Sequence, residues 1–348
     1  MIKNLRTGIL FLSFISFAPM SKAQESWSKI GVFENFNDIG SPKIPGKSSF
    51  YEQSQTYLLS GSGQNIWFNE DSFAFLSKTM SGDFILQTRF NFIGEGVEEH
   101  RKTGIMFRST KSSDSPMIAC TVHGDGLTSF QFRKIKGGNV EEIKMEINAP
   151  DVIQLEKKGD IYTMSVAHFG EVYQTETISL ELGNELMAGI FVSAHTNEFT
   201  EQVSLSNTRI FNTAPDDLVP YKDYLGSLLE IMDIESGARQ VLAHTKDSWQ
   251  APNWTTDSKT LIYNANGKLY NFDLASKTST ELFTDFAIKN NNDHVLTFDG
   301  TQIGISHHAK EANGQSLIYT LPISGGTPKK ITDKSPSYLH GWSPDNKY

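Results

Sequence analysis

Five side chains in the first part of this 348-residue chain have the types and positions to hold a ligand: Trp67, Arg108, His123, Asp125 and Arg133. A flat indole face packs against a pyranose ring, and Trp67 stands between Ile66 and Phe68, where the same ring could be half of a core. Arg108 and Arg133 close two alternating runs, Thr103 to Arg108 and Ser129 to Arg133. A guanidinium fork takes a carboxylate side-on, either from a ligand or from Asp71 or Asp125 in a structural salt bridge. His123 and Asp125, in His123-Gly124-Asp125-Gly126, form a polar cluster at a loop mouth or the cap of a turn.

No catalytic set stands beside them. Glu95, Glu98 and Glu99 lie in a glycine-containing loop, at spacings that do not put two carboxylates on one strand face as a retaining glycosidase requires. The sequence has no Gly-x-Ser-x-Gly elbow, no His-Glu-x-x-His and no cysteine-based metal motif. His307 and His308 are neighbours, and adjacent strand residues point to opposite faces, so they cannot chelate one ion. No cofactor and no metal residue are assigned. A calcium ion held by loop carboxylates stays open.

The elements that must position these residues are strands. Period-two alternation runs through Phe84 to Phe90, Thr103 to Arg108, Ser129 to Arg133, Val152 to Glu156 and Tyr162 to Val166. That pattern predicts one buried and one wet face. Turn clusters separate the runs at Ser81-Gly82-Asp83, His123-Gly124-Asp125-Gly126, Lys136-Gly137-Gly138-Asn139 and Lys157-Lys158-Gly159-Asp160. Gly40, Gly61, Gly63, Gly124 and Gly126 suit turns that need positive φ. About a dozen strands and no long helix over residues 27–211 predict a two-sheet sandwich of jelly-roll type.

A second pattern begins after residues 214–221, where Pro215, Pro220 and acidic neighbours mark a linker. Asn253-Trp254-Thr255-Thr256-Asp257-Ser258, Leu296-Thr297-Phe298-Asp299-Gly300-Thr301 and Gly341-Trp342-Ser343-Pro344-Asp345-Asn346 repeat one turn, at steps of 42 and 46 residues. Each of Leu229 to Gly237, Leu269 to Lys277 and Ile318 to Gly326 reads as a strand, a turn and a returning strand that ends near Leu242, Leu282 or Ile331. A period in the forties is that of a four-stranded propeller blade. Two blades and a start do not close a ring, so the sequence is expected to continue beyond Tyr348 or to close by association.

The bulk properties bound the partners. The formal net charge is −9, and removing Lys3, Arg6 and Lys22 with the first 23 residues would take it to −12. Such a surface repels phosphate backbones, and Arg133-Lys134-Ile135-Lys136, followed by Glu141 and Glu142, reads as a solvated strand end. Residues 1–23 read as a secretory signal: Lys3 and Arg6, an apolar run from Gly8 to Phe17 too short to span a bilayer, then Ser21-Lys22-Ala23. No cysteine for a lipid anchor lies near that site. The expected location is periplasmic or secreted, with no membrane span once the signal is removed. Cys120, the single cysteine, is expected to be a small buried hydrophobe.

Two resemblances follow from these motifs. Asn37-Asp38-Ile39-Gly40, Gly61-Ser62-Gly63, Ile66-Trp67-Phe68, Asp71, Phe73, Gly82-Asp83, Arg101 to Arg108, His123 to Arg133 and Gly189 to His195 together resemble the concanavalin-like, laminin-G-like jelly rolls of secreted bacterial proteins. Relatives of that fold often bind sugars, and others serve as spacers. Jelly-roll glucanases carry a Glu-x-Asp-x-x-Glu strand that this chain lacks. Ser343-Pro344-Asp345-Asn346-Lys347 resembles the Ser-Pro-Asp-Gly-Lys turn of TolB-like periplasmic propellers and of prolyl-oligopeptidase relatives.

The expected fold is all-β: a signal at 1–23, a jelly-roll sandwich at 24–213, a linker at 214–221, and an incomplete β-propeller of about two blades plus a start at 222–348. The expected function is non-catalytic binding of a glycan or a protein partner outside the cytoplasm, and not of nucleic acid. The alternative is the N-terminal part of a peptidase or polysaccharide-processing enzyme.

Overall fold

The computed structural model describes residues 30–348, so the expected signal at 1–23 lies outside the described residues. The first nine strands are β1 (Asn35–Ile39), β2 (Lys47–Tyr51), β3 (Thr56–Gly63), β4 (Ile66–Trp67), β5 (Glu70–Asp71), β6 (Phe73–Ser81), β7 (Phe84–Phe92), β8 (Lys102–Arg108) and β9 (Met117–His123). Seven more follow: β10 (Thr128–Arg133), β11 (Glu141–Lys144), β12 (Val152–Lys158), β13 (Ile161–Ala167), β14 (Gln174–Ser179), β15 (Glu185–Ser193) and β16 (Thr196–Asn212).

Fourteen of these sixteen strands form two seven-stranded antiparallel sheets, ordered β1-β6-β15-β8-β9-β10-β11 and β14-β13-β12-β7-β16-β3-β2. This is the two-sheet sandwich. Its core follows from the alternation. Leu86, Leu155 and Met164 stand opposite one another across β7, β12 and β13. They meet Ile105, Phe107, Ile118, Cys120 and Phe130 of the facing sheet in one buried cluster. Cys120 is fully buried, as its apolar neighbours predict.

The alternation misleads on one point. All residues of β8, β9 and β10 are buried, not every second one. The outer face of that sheet is covered by the β4–β5 hairpin and carries a second apolar cluster of Phe73, Phe75, Met106, Met117, Ala119 and Phe191. Glycine fits the hairpin to the sheet. A Cβ on Gly40 (φ +69°) would lie 2.0 Å from the Asp71 carbonyl oxygen, and one on Gly63 (φ +128°) 2.1 Å from that of Ser72. Gly126 also has positive φ. Gly61 and Gly124 do not. They are needed for close packing, because a Cβ there would press on Ala74 at 2.5 Å and on Arg101 at 2.7 Å.

Between β16 and β17 (Ser227–Met232) the chain makes exposed turns. The hairpin of β17 and β18 (Arg239–Thr245) precedes two four-stranded antiparallel meanders. The first comprises β19 (Gln250–Trp254), β20 (Thr260–Ala265), β21 (Lys268–Asp273) and β22 (Thr278–Glu281). The second comprises β23 (Asn290–Leu296), β24 (Gln302–His308), β25 (Ser316–Pro322) and β26 (Lys329–Lys330). Strand alternation lets one sheet serve two neighbours: Leu261 and Tyr263 pack toward the β17–β18 hairpin, while Ile262 packs with Ile303, Ile305 and Leu317 of the next sheet.

The repeated turn is built identically three times. Thr255, Thr297 and Ser343 donate their hydroxyls to Asp257, Asp299 and Asp345, at 2.6, 2.7 and 2.6 Å. Each aspartate also accepts the backbone N–H two residues on, from Lys259, Thr301 and Lys347. The next residue is left-handed in each, Ser258 at +57°, Gly300 at +69° and Asn346 at +58°. Side chains stitch consecutive repeats: Asn253 donates to His294 O (2.9 Å), Trp342 Nε1 to Val295 O (3.0 Å), and Asn346 Oδ1 accepts from Phe298 N (2.8 Å).

The sandwich meets the β17–β18 hairpin through Gln55. Its amide accepts from Val241 N at 2.9 Å and donates to Val241 O at 2.8 Å, as one residue of an added strand would. Arg209 and Glu230 add an ion pair at 2.8 Å across the same junction.

Candidate functional site

Cross-strand register lays out the outer face of β8, β9 and β10 in rungs: Lys102 with His123, Gly104 with Thr121 and Ser129, Met106 with Ala119 and Gln131, Arg108 with Met117 and Arg133. Each rung shares one face because side chains alternate with period two. The face therefore has Lys102 and His123 at one end, the two arginines at the other, and Thr121, Ser129 and Gln131 beside Met106 and Ala119 between them.

At one end lies a buried ion triad. Arg133 grips Asp71 side-on, with Nη2–Oδ1 at 2.6 Å and Nη1–Oδ2 at 2.8 Å, and Arg108 adds a contact to Oδ2 at 3.3 Å. Burial, more than the neighbouring charges, brings the Arg108 guanidinium down to about 10. The other donors of both arginines go mostly to backbone carbonyls: Arg133 to Gly138, Ser115 and Phe68, Arg108 to Thr110 and Ser112, with Arg108 Nη1 also on Met106 Sδ at 3.4 Å. Arg108 and Arg133, expected as ligand contacts or as salt-bridge partners, thus hold loops. All the side chains of the triad are 0% exposed and both guanidiniums are hydrogen-bonded within the protein, so neither arginine meets a ligand in this conformation.

Trp67 is half-buried and lies against the outer-face cluster. Phe68, the next residue, is 65% exposed. Asp125 is exposed and caps its turn by accepting from Leu127 N at 3.0 Å.

The other end of the face holds the candidate site. Gln131 Nε2 stands 3.4 Å from His123 Nε2 and 3.1 Å from Ser129 Oγ. With the Gln131 amide in this orientation its nitrogen donates, so His123 Nε2 accepts and Nδ1 carries the imidazole proton; the flipped amide gives the opposite tautomer. Burial, reinforced by the Lys102 charge and opposed by Asp125, pushes the His123 imidazole down to about 3. Burial also brings the Lys102 ammonium down to about 8. Lys102 donates to Asn65 Oδ1 and is drawn toward its charged form by Glu142. His100 lies edge-on to the rings of His123 (5.7 Å) and His195 (5.6 Å), on a loop fixed by the buried Arg101–Glu201 pair at 2.7 Å.

Four polar atoms here are buried without a hydrogen-bond partner: Thr121 Oγ1, His123 Nδ1, Gln131 Oε1 and His195 Nδ1. Native interiors rarely leave such groups unmatched. The set offers a donor at His123 Nδ1, an acceptor at Gln131 and a two-way hydroxyl at Thr121, the complement of adjacent ligand hydroxyls. Among the described residues no three of His, Cys, Asp and Glu are arranged to hold a metal.

The sequence singles out His123 here, but not Lys102, Thr121, Gln131, His100 or His195 as a set. The available signal is the polar phase of β8, β9 and β10, whose opposite phase is apolar. Read one strand at a time, that phase looks like a wet face.

No family model matches the chain. An uncharacterized protein of Agrobacterium fabrum is 44% identical over 122 residues, which is 35% of this chain and 41% of that relative. The chain therefore spans under half the length of the curated relative it matches. A solved structure from Agrobacterium tumefaciens, provisionally described as TolB, is 40% identical with a TM-score of 0.34, covering 36% of this chain and 44% of the other. A carbohydrate binding module of Bacillus subtilis is 15% identical with a TM-score of 0.34, covering 52% of this chain and 97% of that one.

Proposed function

We propose that this chain is a non-catalytic binding protein whose sandwich takes a neutral, hydroxyl-rich ligand, a glycan, at the Thr121–His123–Gln131 end of its outer sheet face. The observation that carries the reading is the group of buried, unpartnered polar atoms on Thr121, His123, Gln131 and His195. Ligand hydroxyls would satisfy them, each net hydrogen bond adding about 0.5–1.5 kcal/mol. The rim is His100, whose side chain is 46% exposed, and the ligand enters by displacing it. Trp67 and Asp125 are the earlier candidates still open to solvent, and they are proposed as outer contacts. Arg108 and Arg133 are held in the buried triad at the opposite end of the face and are not proposed as ligand contacts.

Residues 222–348 are proposed as a propeller portion of TolB-like type that offers a rigid surface to a protein partner. The support is the turn repeated at Asp257, Asp299 and Asp345. A periplasmic or secreted location is proposed on Lys3, Arg6, the apolar run to Phe17 and Ser21-Lys22-Ala23.

The test is a glycan array on the purified chain, followed by calorimetric titration of the hits against Thr121→Val. Removing an unmatched buried hydroxyl leaves stability unchanged or raises it. The expected result is at least a tenfold weaker affinity at an unchanged or higher unfolding midpoint. Full affinity in Thr121→Val, or no glycan bound by the parent chain, overturns the reading.

A further inference from the structure

The junction between the sandwich and the β17–β18 hairpin contains a groove of about 270 Å³. Its walls bring together Arg89 on β7, Arg209 on β16 and Arg239 on β18, with Phe169 and Tyr173 from the segment between β13 and β14. Two of these guanidiniums, Arg209 and Arg239, share the Glu230 carboxylate. Arg209 holds it at 2.8 Å and Arg239 reaches its other oxygen at 3.5 Å. Arg89 stacks over the Phe169 ring, 5.0 Å from its centroid, and has only long contacts of 3.4 and 3.5 Å to the carbonyls of Gly237 and Ser236. Asp151, the nearby acid, is occupied by Phe169 N (2.8 Å) and His168 (3.5 Å). Glu171 is the other acid on the wall.

The three arginines outnumber the two lining carboxylates, Glu171 and Glu230, in a chain whose formal net charge is −9. Guanidiniums gathered on the walls of one groove attract an incoming anion. Arg239 is 52% exposed at its side chain and Phe169 is 61% exposed, so charge and ring face are both accessible. Tyr173 OH accepts from Gln87 at 2.6 Å, which fixes the second ring. The volume lies just below the about 300–1,000 Å³ of drug-sized pockets and suits one small ring. A flat ring face for C–H contact and guanidinium forks held only by long contacts are the complements of the two halves of a sugar acid.

We propose that this groove binds a hexuronate, either free or as one unit of an acidic polysaccharide. Its carboxylate lies between Arg89 and Arg239 and its ring against Phe169. The proposal does not depend on the glycan site of the sandwich, and Thr121→Val separates the two.

The test is titration of the full chain with glucuronate, galacturonate and polygalacturonate, with glucose as the neutral control. Arg89→Gln and Arg239→Gln are measured alongside, and circular dichroism reports their folding. Expected are binding of an acidic ligand and not of glucose, at least tenfold weaker affinity in each folded variant, clear weakening from 50 to 500 mM salt, and no change in Thr121→Val. A response to polygalacturonate without one to the monomers assigns the polymer unit, and the reverse assigns the free acid. Failure of all three acids to bind, or binding that both arginine variants leave intact, overturns the proposal. Should a variant not fold, binding by the parent chain that is insensitive to salt overturns it equally.

Discussion

Arg133 and Asp71 lie 62 positions apart and meet as a two-pronged pair inside the protein, at 2.6 and 2.8 Å, with no solvent reaching either side chain. The pair joins three segments: the β4–β5 hairpin that carries Asp71, the loop at residues 109–116 through Ser115 O, and the loop at residues 134–140 through Gly138 O. Removing the acid would leave two buried guanidiniums facing each other. Asp71→Asn is expected to destabilise the chain by about 3–5 kcal/mol, the usual cost of breaking a buried ion pair. Urea unfolding at neutral pH measures it, and a loss below about 1 kcal/mol would contradict the role given to the triad.

His123 makes stability depend on pH in a defined direction. Its imidazole sits at about 3 in the folded chain against 6.5 for the free side chain. Above pH 6.5 both states are neutral and the full stability is present. Between 6.5 and 3 only the unfolded state takes up the proton, so stability falls as pH falls. At 1.36 kcal/mol per unit, His123 alone removes about 2 kcal/mol at pH 5. His195, His294 and His307 are also pushed down by burial and act in the same sense. Urea midpoints at pH 7.5 and pH 5.0 give the slope, and His123→Gln is expected to reduce it.

The three repeated turns call for opposite substitutions. Ser258 holds a left-handed backbone without being glycine, whereas Gly300 holds one with Thr256 Cγ2 2.6 Å from where a Cβ would stand. Ser258→Gly is expected to be neutral or stabilising by up to about 1 kcal/mol, and Gly300→Ser to cost about 1–2 kcal/mol or more. Thermal unfolding is therefore expected to fall for Gly300→Ser and to hold or rise for Ser258→Gly.

Cys120 is expected to be silent. Burial raises its thiol well above the ordinary range, and the thiolate is the reactive form. A chromogenic disulfide reagent should not label the native chain over hours and should label it fully in concentrated urea. Rapid labelling under native conditions would mean that the sandwich opens far more often than its packing implies.

The all-β architecture is legible in the sequence because its signals are local. Alternating runs at Phe84, Val152 and Tyr162, and turns repeated at Asp257, Asp299 and Asp345, each report on a few neighbouring residues. Asp71 is one of the two acids, with Asp125, that the sequence offers the arginines, and the structure selects Asp71. The site is not. Thr121, His123 and Gln131 become one cluster only when β8, β9 and β10 are paired in a particular register, and no single strand encodes that register. The burial of Arg108 and Arg133 was hidden for a similar reason: the hairpin covering them comes from residues some 40 to 65 positions earlier in the chain.

The two hydrogen bonds from Gln55 to Val241 bear on how much freedom a guest must remove. Side-chain amides that mimic a strand fix the hairpin against the sandwich before anything binds. The two walls of the arginine-lined groove are then already at their working separation, and a small acid entering it need not halt a hinge. Cutting that brace with Gln55→Ala would loosen the groove without altering a residue that lines it. The expected signature is weaker uronate binding through a less favourable entropy and an unchanged enthalpy, read by calorimetry.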